Sequence, residues 1–192
     1  PSRDFWSTKR VLVTGATGMV GAWVTRWLVD AGAHTVAFIS DTDPQSELIR
    51  SGYIDRVAVM NGRLENYEDV ERTINNQEVD SIIHLGAQPI VGAADRSPRH
   101  TFESNIQGTW NVLDAARVLG GLVQRVVVAS SDKAYGTQPV LPYTENMSMN
   151  GDHPYEVSKS CTDLISTTYA RTYGLPVTIA RCGNIYGGGD LN

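Results

Sequence analysis

Apolar and polar positions along the chain alternate between two patterns. Short runs of consecutive apolar residues mark strands buried on both faces: Val11–Val13, Thr35–Ser40, Val57–Asn61, Ser81–Leu85, Arg125–Ser130 and Val177–Arg181. Between them, apolar residues recur at helical spacing. Val20, Val24, Trp27, Leu28 and Ala31 form the first such stripe, and Tyr67–Gln77 is a polar, amphipathic helix. Arg99–Leu119 carries Phe102, Ile106, Trp110, Leu113 and Arg117 along one side. Tyr155–Tyr173 is a second long helix, with Cys161, Leu164, Ile165, Thr168 and Tyr169 as its apolar stripe. A further helix is expected from near Pro44, because Asp41-x-x-Pro44 is a good helix opening. Pro1–Lys9 reads as a lead-in whose Phe5 and Trp6 pack on the rim of the sheet. Strands alternating with helices predict an α/β fold, a doubly wound parallel sheet of about six strands.

The first strand runs straight into Thr14-Gly15-Ala16-Thr17-Gly18-Met19-Val20-Gly21, which opens the first helix. Gly15 supplies the unusual φ that a turn at a strand end needs. Gly18 removes a side chain where a pyrophosphate would collide, and Gly21 lets the helix pack close to the strand. The free N–H groups of the helix's first turn then face the phosphates. Strand, glycine turn and helix together make this a Rossmann-type dinucleotide site, with Gly15, Thr17, Gly18, Met19, Val20 and Gly21 as its candidates. Asp41 ends the second strand 20 residues after Gly21, where an acidic side chain meets the ribose hydroxyls and repels a 2′-phosphate. That favours NAD over NADP, and the alternative use of Asp41 is as a helix cap. Leu85, Gly86 and Ala87 end the fourth strand, where small residues let backbone approach a cofactor. His84 reads as a hydrogen-bonded core histidine.

Composition narrows the class. At 192 residues the chain holds one full core, and residues 1–192 are read as a single domain. A net charge of −5 without a basic cluster points away from nucleic acid. The longest apolar runs are strand-sized, and no membrane span or signal peptide is visible. Cys161 and Cys182 lie far apart with no metal-ligand spacing, so both are expected to be reduced core thiols of a cytoplasmic protein. No metal site is expected. The chain begins at Pro1 without a methionine and stops at Asn192 after a glycine-rich loop, which suggests an N-terminal fragment of a longer enzyme.

Candidate chemistry follows the fifth strand. Ser131-Asp132-Lys133 sits at the C-terminal edge of the sheet, and Tyr155 and Lys159 lie 24 and 28 residues beyond Ser131. Four apart on a helix, Tyr155 and Lys159 share a face. An ammonium beside a phenol favours phenolate, which makes Tyr155 a general base. The Ser131 hydroxyl can hold a substrate alcohol against that base.

With these residues in place the chain resembles the extended short-chain dehydrogenase/reductases, and among them the nucleotide-sugar 4,6-dehydratases. The segments that carry the resemblance are TGATGMVG, HLGAQPIV, Asn105–Thr109, SSDKAYG, HPYEVSKS and ARCGNIYGGGD, spread over the whole length. The hydroxyl–Asp–Lys triplet is similar to that of the CDP-glucose branch. The resemblance implies NAD as cofactor, a nucleotide sugar as substrate, and a homodimer paired through the two long helices. It implies that Tyr155, with Ser131 and Lys159, takes the C4 hydroxyl proton as hydride leaves C4 for NAD. Lys133 then acts as base at C5, Asp132 protonates the departing C6 hydroxyl as water, hydride returns to C6 and C5 is reprotonated. Asn105 would brace the active-site backbone near the cofactor, while Gln88, Ser131 and Asn184 would contact substrate. Arg63 stands where many relatives carry an aspartate near the adenine, and Gly86 replaces a more usual alanine. The C-terminal region that selects base and hexose in relatives is absent from this sequence. An NDP-sugar 4-epimerase or decarboxylase is the first alternative, and a non-catalytic NAD-binding sensor or scaffold is the second.

Overall fold

The structure is a computed structural model that describes residues 3–190. Six strands, β1 (Arg10–Thr14), β2 (His34–Ile39), β3 (Ala58–Asn61), β4 (Ser81–His84), β5 (Arg125–Ser131) and β6 (Val177–Cys182), form one sheet in the order β3-β2-β1-β4-β5-β6. Every pairing is parallel. This is the strand order of a dinucleotide-binding Rossmann sheet, with its switch point between β1 and β4. The strands expected from the sequence stand within about a residue or two of their observed bounds; β1 and β2 are buried on both faces, whereas the edge strands β3 and β6 are only partly buried, contrary to the expectation.

The helices are α1 (Arg3–Trp6), α2 (Met19–Asp30), α3 (Glu47–Arg50), α4 (Tyr67–Asn76), α5 (Val91–Arg96), α6 (Pro98–Phe102), α7 (Gly108–Val118) and α8 (Pro154–Tyr173). Side chains alternate between two layers. Val11, Val13, Ala37 and Ile39 meet Ala22, Leu28 and Leu48 on the side covered by α2 and α3. Leu12, Val36, Phe38, Val126 and Val128 meet Val70, Ile74, Val112 and Leu113 on the side of α4 and α7. Each fully buried aliphatic side chain contributes about 1.5–3 kcal/mol relative to exposure. Trp6 packs against the α2-side layer and stands edge-on to Trp27 at 5.5 Å, the expected rim contact.

The structure refines three expectations. The helix expected from near Pro44 starts three residues later, so Asp41 does not cap it. Asp43 Oδ1 accepts from the Gln45 N–H at 2.8 Å in a local turn, Ser46 turns its hydroxyl to the Thr17 carbonyl, and α3 begins only at Glu47. The helix expected over 99–119 is α6 and α7 joined by a π turn, Glu103–Gln107, and its stripe is only partly on the buried face: Leu113 is in the core, Phe102 and Ile106 are half-buried, and Trp110 and Arg117 are exposed. The inward residues include Thr101, Asn105, Thr109, Val112 and Ala116, whereas Trp110 is 43% exposed. On α8 the inward residues are Ser158, Lys159, Ser160, Thr162, Asp163 and Ser166, and Leu164 faces outward. Helical period identified both helices, but small and polar residues share their inner faces with Val112, Leu113, Ile165 and Tyr169, so each apolar stripe marks its inner face only in part. α5 was not expected at all.

Candidate active site

Gly15 has φ +68°, and a Cβ there would lie 2.8 Å from Gly86 Cα. The turns after β1 and β4 therefore touch backbone to backbone, which only glycine allows. A Cβ on Gly21 would meet the Gly15 carbonyl oxygen at 2.0 Å, so α2 packs directly on the turn. Gly18 is different: it is the N-cap of α2, no side chain caps that end, and a Cβ there would meet only the Gly15 oxygen, at 3.3 Å. The space that a side chain at 18 would fill is open, beside uncapped N–H groups and the positive end of the α2 dipole. A diphosphate fits this cradle. Thr17, Met19 and Val20 are half-buried around it. Asp41 is exposed just past β2, caps no helix and has no hydrogen bond or ion pair among the described residues. Arg63, past β3, is exposed and pairs with Glu65 at 3.5 Å.

Leu85, Gly86 and Ala87 follow β4 and are half-buried beside the glycine turn. The Thr14 hydroxyl accepts from the Leu85 and Gly86 N–H groups at 3.2 and 3.0 Å and donates to His84 Nδ1 at 2.7 Å. His84 Nε2 donates to Thr109 at 3.1 Å, and Thr109 donates to the Asn105 carbonyl at 2.6 Å. Burial first, and then the Lys159 charge, lower the His84 pKa to about 3. His84 is thus a neutral core histidine, as the sequence suggested. Asn105, buried inside the π turn, accepts from the Gln88 N–H at 2.6 Å and donates to the Gln88 carbonyl at 3.1 Å and to Ser158 Oγ at 2.9 Å. It clasps the backbone of Gln88 and ties it to α8. The side-chain oxygen of Gln88 is buried without a partner among the described residues.

Ser131 closes β5, and its hydroxyl accepts from the Lys133 N–H at 3.2 Å and meets Asp132 Oδ1 at 3.2 Å. Lys133 Nζ and Asp132 Oδ2 form an ion pair at 3.5 Å. α8 starts at Pro154, where the Glu156 carboxylate accepts the N–H groups of Asp152 and His153 and so fixes the entry of the helix. That sets Tyr155 and Lys159 against the end of β5. Lys159 is buried, donates to the Ala129 carbonyl at 2.9 Å, and is lowered to about 8 by burial. Tyr155 is raised above its ordinary value, first by burial, while hydrogen bonding with Ser131 pulls down and Asp132 pushes up. Burial thus outweighs the Ser131 hydrogen bond and keeps the phenol above its ordinary value. The structure brings Ser131, Asp132, Lys133, Tyr155 and Lys159 together at the C-terminal edge of the sheet. Asn184 lies exposed beyond β6, with no hydrogen bond to them among the described residues.

Sequence reasoning missed several supporting groups. Cys182 is in register with Ser131 and close enough to bear on Tyr155 and Lys159, and both cysteines are half-buried rather than core. Arg181 grips the buried Asp163 with two hydrogen bonds, at 2.7 and 2.9 Å, and donates to Tyr135 and to the Glu145 carbonyl. These contacts wall a cavity of about 420 Å³ that opens beside Asp132. Ser158 was visible within Tyr155-Glu-Val-Ser158-Lys159, but nothing local marks its partner 53 residues away. Among the described residues no cluster of three or more His, Cys, Asp or Glu is placed to hold a metal, and no helix is long and apolar enough to cross a membrane.

The chain is similar to several nucleotide-sugar enzymes. CDP-glucose 4,6-dehydratase of Salmonella typhimurium is 30% identical over 199 residues, covering 98% of this chain and 55% of that protein. dTDP-glucose 4,6-dehydratase of Streptomyces griseus is 30% identical over 188 residues, covering 94% of this chain and 55% of the relative. The chain thus spans about half the length of the curated relatives it matches. Among solved structures, the dTDP-glucose 4,6-dehydratase of Streptomyces venezuelae with NAD bound superposes with a TM-score of 0.82 at 32% identity, over 93% of this chain and 57% of that one. The UDP-glucose 4-epimerase of Thermus thermophilus in complex with NAD does so with 0.81 at 29%, over 93% and 56%. The family model for GDP-mannose 4,6-dehydratase matches residues 12–190, and the chain belongs to that family of nucleotide-sugar dehydratases and epimerases.

Proposed function

We propose that this chain is the dinucleotide-binding part of an NAD-dependent nucleotide-sugar 4,6-dehydratase, with CDP-glucose the first substrate to try. The observation that carries the reading is the Asp132–Lys133 pair beside Tyr155 and Ser131. Removing a proton from a sugar alcohol calls for a base such as Tyr155. Expelling water from neighbouring carbons calls for a further acid and base, and the pair supplies both types of group. Shifting one proton from the Lys133 ammonium to the Asp132 carboxylate gives an amine and a carboxylic acid without changing the charge of the site.

Gly15, Thr17, Gly18, Met19, Val20 and Gly21 would hold the diphosphate of NAD, Asp41 its ribose, and Leu85, Gly86 and Ala87, braced through Asn105, its far half. When bound, NAD supplies an acceptor and later a donor of hydride. Tyr155 takes the C4 hydroxyl proton while Ser131 holds that oxygen, and Lys159 contributes positive charge behind them. Lys133 takes the C5 proton and Asp132 protonates the departing C6 hydroxyl as water; with hydride restored to C6, Lys133 would return its proton to C5. Gln88 and Asn184 are assigned to the nucleotide sugar. The outward Trp110 and Leu164 on the two long helices motivate a homodimer, and sedimentation as a monomer would count against it. A cytoplasmic location accords with the two free thiols.

The 4-epimerase reading is favoured by one observation, the equal likeness of epimerase structures. One experiment separates the readings: the protein carrying this chain is given NAD and CDP-, dTDP-, GDP- and UDP-sugars, and products are weighed by mass spectrometry. Dehydration removes one water from a single sugar, and Lys133→Ala lowers that rate by about 100-fold or more, the usual contribution of a positioned acid–base group. An isomer of unchanged mass would make the protein an epimerase, and NAD binding without turnover would make it a sensor.

A further inference from the structure

The segment after β6 makes contacts that none of the roles above uses. β6 ends at Cys182 on the edge of the sheet, and Gly188 lies against α2, the helix that follows β1. β5 and β4 stand between β6 and β1, so the chain from Gly183 to Gly188 passes the C-terminal ends of both strands, the side where Ser131 and the glycine turn lie. The far end is anchored by the Trp23 indole, whose Nε1 donates to the Gly188 carbonyl at 2.7 Å. The indole is itself held. The Arg26 guanidinium lies 4.5 Å from its ring and 4.9 Å from that of Tyr53, and is ion-paired with Glu47. Glu47 in turn backs the next glycine, since a Cβ on Gly189 would lie 3.3 Å from Glu47 Cβ. Gly189 has φ +87°, and the Asp190 N–H bonds to the Gly187 carbonyl, so a tight glycine turn sits on Trp23 and Glu47. Between the two ends, Ile185 and Tyr186 are exposed, Tyr186 at 89%.

We propose that Trp23 is a positioning residue that fastens the Gly183–Gly189 segment across the crevice and slows the release of bound dinucleotide. The inference rests on the dinucleotide reading above. A ligand lying along the ends of β1, β4 and β5 leaves only when the segment lifts, and lifting breaks the indole hydrogen bond.

The test is the release of NADH from the protein carrying this chain, followed by NADH fluorescence after mixing with excess NAD. Trp23→Phe keeps an aromatic ring at this position and removes the N–H together with the part of the indole that lies by Gly188. From the net worth of one hydrogen bond, release should quicken about fivefold, while the thermal midpoint of the cofactor-free protein stays where it was. Gly189→Ala strains the turn from the other side and should also quicken release. Combined with Trp23→Phe it should give less than the product of the two effects, because both undo one anchor. Trp27→Phe, whose exposed ring on the same helix packs on Trp6, should leave release unchanged. Wild-type release in Trp23→Phe, equal acceleration in Trp27→Phe, or full multiplication with Gly189→Ala would each overturn the clamp. If the wild-type protein does not bind NADH, the dinucleotide reading itself falls and the clamp falls with it.

Discussion

Around His84 every proton has one place to go. The Thr14 hydroxyl accepts from two backbone N–H groups, so its own proton points at Nδ1, and Nε2 must carry the other proton to reach Thr109. A second proton on the ring would find no acceptor, and burial already holds the pKa near 3 instead of the ordinary 6.5. The unfolded histidine binds a proton below pH 6.5, whereas the folded one refuses it down to about 3. Stability contributed by His84 is therefore complete above pH 6.5 and is lost as pH falls through that window, at about 1.4 kcal/mol per unit. Lys159, lowered to about 8, acts only above that pH and does not overlap. Urea unfolding between pH 6.5 and 4.5 should show a slope shallower by that amount in His84→Gln, and parallel slopes would refute the account. Asn105 permits a second test. Asn105→Ala strips three hydrogen bonds and leaves both backbone groups of Gln88 without partners, so it should cost about 2–3 kcal/mol. Ser158→Ala removes one of the three and should cost about 1 kcal/mol in the same titration. Neither arrangement was legible in the sequence beyond the reading of His84 as a core group and the resemblance that made Asn105 a brace. The Asn105 and His84 partners lie up to 70 residues away, and only the folded sheet brings them together.

At the scale of elements, the strands and the glycine turn were legible because each announces itself locally. A run such as Val11–Val13 has one use in a sheet covered on both sides, and Gly15, Gly18 and Gly21 each answer a separate steric demand. The α6–α7 stretch was legible as helix, but its π turn, which holds the buried Asn105, was not. Beside the apolar Val112 and Leu113, the inner face of this stretch carries Thr101, Asn105, Gly108 and Thr109, residues that say nothing by hydrophobicity. Gly108 shows why. A Cβ there would stand 2.8 Å from Leu64 Cβ, an atom close to the backbone that cannot swing away. In an exposed helix Gly→Ala gains up to about 1 kcal/mol. Here overpacking should outweigh that gain, and Gly108→Ala should lose about 1–2 kcal/mol net. A thermal midpoint raised by the substitution would mean that the contact between α7 and the segment before α4 is looser than the structure has it.

For the molecule as a whole, the two core layers and the sheet between them lie within the described residues, and so do all the groups assigned to the dinucleotide. The groups assigned to the nucleotide sugar do not form such a set. Gln88 and Ser131 sit on the sheet edge, but Asn184 is exposed past β6, and the chain spans about half the length of its relatives. Ligand binding to the 192-residue chain alone should therefore be lopsided. NAD at about 100 times its dissociation constant stabilises a folded protein by about 2.7 kcal/mol. For a domain of this size that raises the midpoint of unfolding by roughly 5–10 °C. A CDP-, dTDP-, GDP- or UDP-sugar at the same concentration should move the midpoint by less than about 1 °C, because a half-built site gains no such linkage energy. Differential scanning fluorimetry of the chain with each ligand makes the comparison. A shift with the sugar equal to that with NAD would show that these residues already hold a complete substrate site. A shift with neither would leave the Gly15–Gly21 cradle without its ligand and send the search for one elsewhere on the sheet edge.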